Sequence, residues 1–163
     1  MAIDSTVMHN FHFGVGFLKS LLEGIDDAKM AHQPRPGMNH PAWITGHLVT
    51  AMEFTAKLAG GSYKAPEGWS DLFGTNSTPS DDASKYPDKA ALLAELDKAV
   101  AAVAPSLESV EPEALSAQMP DEGFRKIMPT VGDGLTFLMN GHIAMHVGQL
   151  SAWRRACGMP PLF

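Results

Sequence analysis

Four separate stretches of this chain repeat apolar residues at alternating steps of three and four. That spacing marks a helix with one buried face. In residues 4–29 the stripe is Met8, Phe11, Val15, Leu18, Leu22 and Ile25, with Asp4 or Ser5 to cap its start and the run His32-Gln33-Pro34-Arg35-Pro36-Gly37 to stop it. In residues 40–59 it is Ile44, His47, Leu48, Ala51, Thr55 and Leu58, with Asn39 as the expected N-cap, Pro41 in the first turn and Gly60-Gly61 as the end. In residues 88–110 it is Leu92 or Leu93, Leu96, Val100, Val103, Leu107 and Val110; Pro105 sits inside it and predicts a kink or an early stop. In residues 131–156 it is Val131, Leu135, Leu138, His142, Met145 and Gln149, opened by an approximate capping box from Thr130 and Asp133 and closed by Gly158 and Pro160. Arg154 and Arg155 suit that helix's C-terminal turn.

Nothing reads as a substantial sheet. Residues 61–87, rich in Gly, Ser, Asp and Pro, are long for a loop in a compact domain. They fit a crossover, a lid over a site, or both, with Trp69, Leu72 and Phe73 as anchors. Residues 111–129 are irregular. The expectation is an all-α four-helix bundle with a long crossover between helices 2 and 3, formed as one domain over residues 1–163.

The net charge of −6 argues against nucleic acid and against anionic membrane surfaces. The start of the chain lacks the basic and apolar regions of a secretory signal, and the run 134–153 holds too many polar residues to be a membrane span. One cysteine, Cys157, permits no intrachain disulfide. A soluble, cytoplasmic protein is expected.

Chemistry is concentrated in three histidines. His142 and His146 stand four apart and share one helix face, and His47 holds a core position on another helix. Three imidazoles directed into one interior suit a divalent metal with an open position, with zinc, nickel, iron and manganese all accepting such a set. The metalloprotease form is excluded, because Ile143 follows the first histidine where that motif has glutamate.

The stretch Asn-His-Pro-Ala-Trp-Ile-Thr-Gly-His-Leu ending at Leu48 resembles the second-helix motif of the DinB-like family. So does His-Ile-Ala-Met-His-Val-Gly-Gln-Leu from His142, with its following arginine and Gly-Met-Pro ending. The resemblance runs the length of the chain and implies a four-helix bundle. In it one histidine of the second helix and two of the fourth hold a divalent metal, here His47, His142 and His146. It also implies kinship with metal-dependent S-transferases and isomerases that use bacterial low-molecular-weight thiols, and with metal-dependent hydrolases. It does not choose among these.

The first functional expectation is therefore an enzyme, a metal-dependent thiol transferase or hydrolase. A divalent metal, zinc or nickel before iron or manganese, activates a small thiol or water for S-transfer, isomerisation or hydrolysis of a small molecule. The second is a non-catalytic, stress-related bundle binding metal or a small ligand, its metal closed by a fourth group such as His12 or Gln149. The third is a purely structural bundle.

His12, at the edge of the first stripe, is a candidate pocket residue or acid/base. Gln149 is a candidate to orient a ligand or bond a water, or else to bridge helices. Trp43 walls the pocket or fills the core. His40 lies roughly 10 Å along the helix from His47 and reads as a helix-start residue, while His9 and His32 read as solvated. The tail Met159-Pro160-Pro161-Leu162-Phe163 offers an apolar surface either to a partner copy, in a homodimer, or equally to its own bundle.

Overall fold

A computed structural model describes residues 3–162. The elements are α1 (Ser5–Leu22), α2 (Pro41–Leu58), α3 (Trp69–Phe73), α4 (Lys89–Ser109), α5 (Pro112–Ser116), α6 (Glu122–Arg125), α7 (Val131–Thr136), a π-helical turn (Phe137–His142) and α8 (Ile143–Ala156). The unit α7–π turn–α8 is the expected fourth helix. α2 packs along α4, and α1 along α8 and the π turn, giving the all-α four-helix bundle with its long connection between the second and third long helices. Among the described residues the only β pairing is an isolated bridge between Gln118 and Thr130.

The stripes explain the packing. Phe11, Val15, Leu18 and Leu22 of α1 meet Ile143, Leu150 and Trp153 of α8 in one core with Ile44, Leu48, Leu92, Leu96 and Leu107. Residues 41–49 of α2 are buried on every side, because α4, α8 and the folded-back α3 all cover them. α3 lies within the long connection. Phe73 anchors it in full burial, with Trp69 and Leu72 packed more loosely.

Four local expectations are corrected. The first helix stops at Leu22 rather than 29: Gly24 takes a left-handed φ of 70°, and Ile25 returns to the core from a turn. The second helix is capped by His40, not Asn39; its Nδ1 accepts from the Trp43 N–H at 3.2 Å. Of the kink or early stop expected at Pro105 the early stop is overturned, since α4 passes through Pro105 and runs on to Ser109.

The fourth correction is one of phase. A π turn carries about one extra residue relative to α. It moves the buried stripe from Val131, Leu135 and Leu138 to Ile143, His146, Leu150 and Trp153. Met145, expected inside, is 53% exposed. Thr130 and Asp133 form the expected capping box.

Arg154 lies in the last turn of α8, as expected, but its guanidinium is turned to another helix. It is buried and donates from Nη1 to the carbonyls of Leu21 and Glu23 at 2.8 and 2.9 Å. It thus answers the negative end of α1 with a cation. Of the tail, Met159 packs against the core and Leu162 is exposed, while Phe163 lies outside the described residues.

His40 makes the fold pH-sensitive. Its ring is fully buried edge-on to Tyr86, and its Nε2 has no hydrogen-bond partner. Burial lowers its pKa from 6.5 to about 4, against the opposing pull of the Ser80 and Met30 carbonyls. The unfolded chain therefore binds a proton between pH 6.5 and 4 that the folded chain refuses. The neutral ring's contribution is complete above pH 6.5 and falls away by about 3 kcal/mol as the pH drops toward 4. Metal-free His40→Asn, which keeps a capping side chain, is expected to lose that part of the slope in denaturant titrations between these pH values. An unchanged slope refutes the assignment.

Candidate metal centre

His47 reaches the site from α2, His142 from the last position of the π turn, and His146 from the first turn of α8. Their Nε2 atoms converge. His142 Nε2 is 3.1 Å from that of His47 and 3.1 Å from that of His146. All three ligand atoms lie within 4.8 Å of one another. One ion at about 2.1 Å from two nitrogens holds them about 3.0 Å apart at a right angle and about 3.4 Å apart at the tetrahedral angle. The observed separations fit a shared cation, and no other His, Cys, Asp or Glu among the described residues joins the group.

The opposite ring nitrogens show how the imidazoles are aimed. His47 Nδ1 lies 2.7 Å from the Phe73 carbonyl. A carbonyl only accepts, so Nδ1 carries the proton and Nε2 the lone pair. His146 Nδ1 lies 3.1 Å from Gln149 Oε1, which also accepts from Asn39 Nδ2 at 3.0 Å. Here too Nε2 is left with its lone pair. His142 Nδ1 is buried without a partner, and its ring sits beside Phe137 at 5.9 Å.

Burial lowers the pKa of all three rings. His142 falls to about 4 by burial and then by the neighbouring charge of His47, and His146 to about 3 by burial and then by His142 and His47, with Gln149 opposing. His47 is lowered by burial against the pull of the Phe73 carbonyl. Near neutral pH the three are uncharged, which is the state that binds metal.

Trp43 both walls the site and fills the core. Its ring stacks on His47 at 4.7 Å and 8°, while its Nε1–H donates to Ser77 Oγ at 2.8 Å. Ser77 in turn donates to the Gly74 carbonyl. The connection that carries Phe73 is thereby tied to α2 a second time, four residues beyond the Phe73 carbonyl's bond to His47. Gln149 acts both as an orienting residue and as a helix-to-turn bridge.

His12 does not join this group. It is exposed on α1 and absent from the cavity lining. His40 stays at the helix start, and His9 and His32 are exposed, as expected.

A cavity of about 310 Å3 opens onto His47 and His142. Phe54, Phe124, Phe137 and Leu138 form apolar walls, and Thr50, Ser70, Thr75 and Asp121 supply polar groups. Sequence reasoning missed the Phe73 carbonyl, a backbone group 26 residues from His47 that no side-chain pattern marks. Asn39 was visible only as a cap. Gly46 had a signal, a glycine in mid-helix beside a candidate ligand. A Cβ there would lie 2.5 Å from three atoms of the Phe73 ring.

Fold and site together define a helical bundle with three convergent histidines, compatible with binding a divalent metal. The profile that matches residues 17–150 is described as the DinB superfamily, and the chain belongs to that family. A solved structure described as a conserved protein of locus from Enterococcus faecalis is similar in fold, with a TM-score of 0.71 at 17% identity over 96% of this chain and 97% of that one. No curated protein matches. Among the described residues, no helix is long and apolar enough to cross a membrane.

Proposed function

We propose that this chain is a metal-dependent enzyme acting on a small molecule, with His47, His142 and His146 holding the cation. The observation that carries the reading is the cavity. Three protein ligands converge, and an aromatic-walled space of about 310 Å3 opens onto two of them. Catalytic metal sites keep such an open position, whereas structural ones are closed by a fourth protein ligand. A divalent cation there supplies Lewis-acid activation of a thiol or a water. Zinc or nickel suits the imidazole set best, ahead of iron or manganese.

The chain's own residues do the rest. Phe73 and Gln149 fix the tautomers of His47 and His146, and the phenylalanine walls keep water from crowding the bound molecule. S-transfer, isomerisation and hydrolysis all fit this arrangement, and a low-molecular-weight thiol is the expected co-substrate. The non-catalytic alternative needs a fourth group to close the set. His12 is exposed, and the Gln149 oxygen is already engaged by Asn39 and His146.

The test is elemental analysis of the purified protein, followed by cobalt(II) substitution and titration with β-mercaptoethanol. One divalent metal per chain and a visible spectrum that changes with the thiol are expected. A cobalt spectrum indifferent to thiol and to competing anions means a saturated shell and overturns the enzyme reading.

A further inference from the structure

The cavity beside the histidines has a chemical bias of its own. Phe54 and Phe124 stand 5.5 Å apart at 38°, and Phe137 adds a third ring to the lining. Offset and edge-on contacts to a flat ring are the favoured way to fill such a space. No lysine or arginine lines it, and apart from the histidines its one ionisable residue is Asp121.

Asp121 caps α6, its Oδ1 accepting from the Phe124 N–H at 2.8 Å. It forms neither of the ion pairs among the described residues, which are Lys19–Asp97 and Lys98–Glu95. Lys57 borders the adjoining depression that Asp121 also lines, yet makes no bridge to it. The same residue that fixes Phe124 at the cavity wall thus brings there a carboxylate in no direct ion pair among the described residues, and the nearby Arg125 guanidinium donates instead to the Met119 and Pro120 carbonyls.

We infer that this cavity takes a small aromatic molecule bearing a protonated amine, its ring packed among Phe54, Phe124 and Phe137 and its ammonium facing Asp121. The inference rests on the three-histidine site being the functional one. It names the substrate class that the site selects. With the thiol on the metal, an anionic para substituent meets Asp121 and no lysine or arginine of the lining, and a neutral one gains only the packing. An exposed ion pair is weak, and attraction for one sign with repulsion for the other separates an ammonium from a carboxylate by about tenfold.

The experiment measures binding by calorimetry to metal-loaded protein. The probes are three benzenethiols with aminomethyl, methyl or carboxylate in the para position, so that the thiol takes the metal end in every case. The expected order is ammonium tightest and carboxylate weakest, across about tenfold. In Asp121→Asn, which keeps the α6 cap, the three are expected within about twofold. An order that ignores charge, or one that Asp121→Asn leaves intact, overturns the inference while the thiol-binding metal site stands. Should none of the three bind, the thiol part of the proposed function fails instead. Benzylammonium against benzyl alcohol on the same protein then decides the inference, and no preference for the ammonium overturns it.

Discussion

His47→Ala is expected to remove most of the chain's affinity for a divalent metal. A four-ligand structural zinc site contributes about 10–16 kcal/mol, or roughly 3–4 kcal/mol per ligand, so one lost imidazole weakens binding roughly a hundredfold to a thousandfold. His47 is the most consequential of the three, because it alone comes from α2 and closes the cluster across the bundle. Its loss also leaves the Phe73 carbonyl without its donor and Trp43 without its stacking partner.

Competition against a chromogenic chelator measures the affinity, scored per folded chain by near-ultraviolet circular dichroism. Thermal unfolding gives a second reading. A metal at a hundred times its dissociation constant stabilises the wild type by about 2.7 kcal/mol, and the variant should gain almost none of this. Metal affinity within threefold of wild type would remove His47 from the ligand set.

The helix stripes were legible because an apolar period of three and four has one economical solution. Phe11, Val15, Leu18, Leu22 and Ile25 are all buried as that period requires. What escaped were features that period does not encode. Ile25 satisfies the spacing from a turn instead of a helix, since Gly24 swings the chain back at the same distance. The π turn adds a residue, and Gly132, Gly134 and Gly141 around it do not by themselves announce an insertion. The stripe therefore reads through His142 to Met145 in sequence, while the molecule buries Ile143 and His146.

The histidine trio was legible for a different reason. Imidazoles on apolar faces are costly unless something engages them, and two helices placed them at compatible phases. The groups that aim the rings were only half visible. Gln149 shares a helix with His146 and could be read from spacing, whereas the Phe73 carbonyl is main chain brought across by the long connection. Asp121 belongs to a segment with no period at all, and only the folded path of residues 111–129 brings it to the cavity.

Gly46→Ala tests whether that main-chain contact governs the metal. In a helix interior, replacing glycine by alanine ordinarily stabilises by about 1 kcal/mol. At Gly46 the added Cβ would stand 2.5 Å from three atoms of the Phe73 ring, which is fully buried. Overpacking of this kind costs about 1–3 kcal/mol, so the net expectation is a modest loss of stability.

The larger effect falls on the metal. A buried ring pushed from Gly46 is expected to shift together with its backbone, whose carbonyl lies 2.7 Å from His47 Nδ1. Loss of such an orienting bond costs about 10–100-fold in metal affinity. Gly16→Ala is the matching control: that glycine lies in α1 with nothing within 4 Å of its would-be Cβ. It should gain the helical stabilisation and bind metal as the wild type does. Combining Gly46→Ala with Phe73→Leu should restore part of the affinity, because the smaller side chain can clear the new methyl while its carbonyl returns to His47. If Gly46→Ala alone binds metal like wild type, the imidazole of His47 is held by Trp43 and the ion itself, and the connection above it plays no part in setting the site.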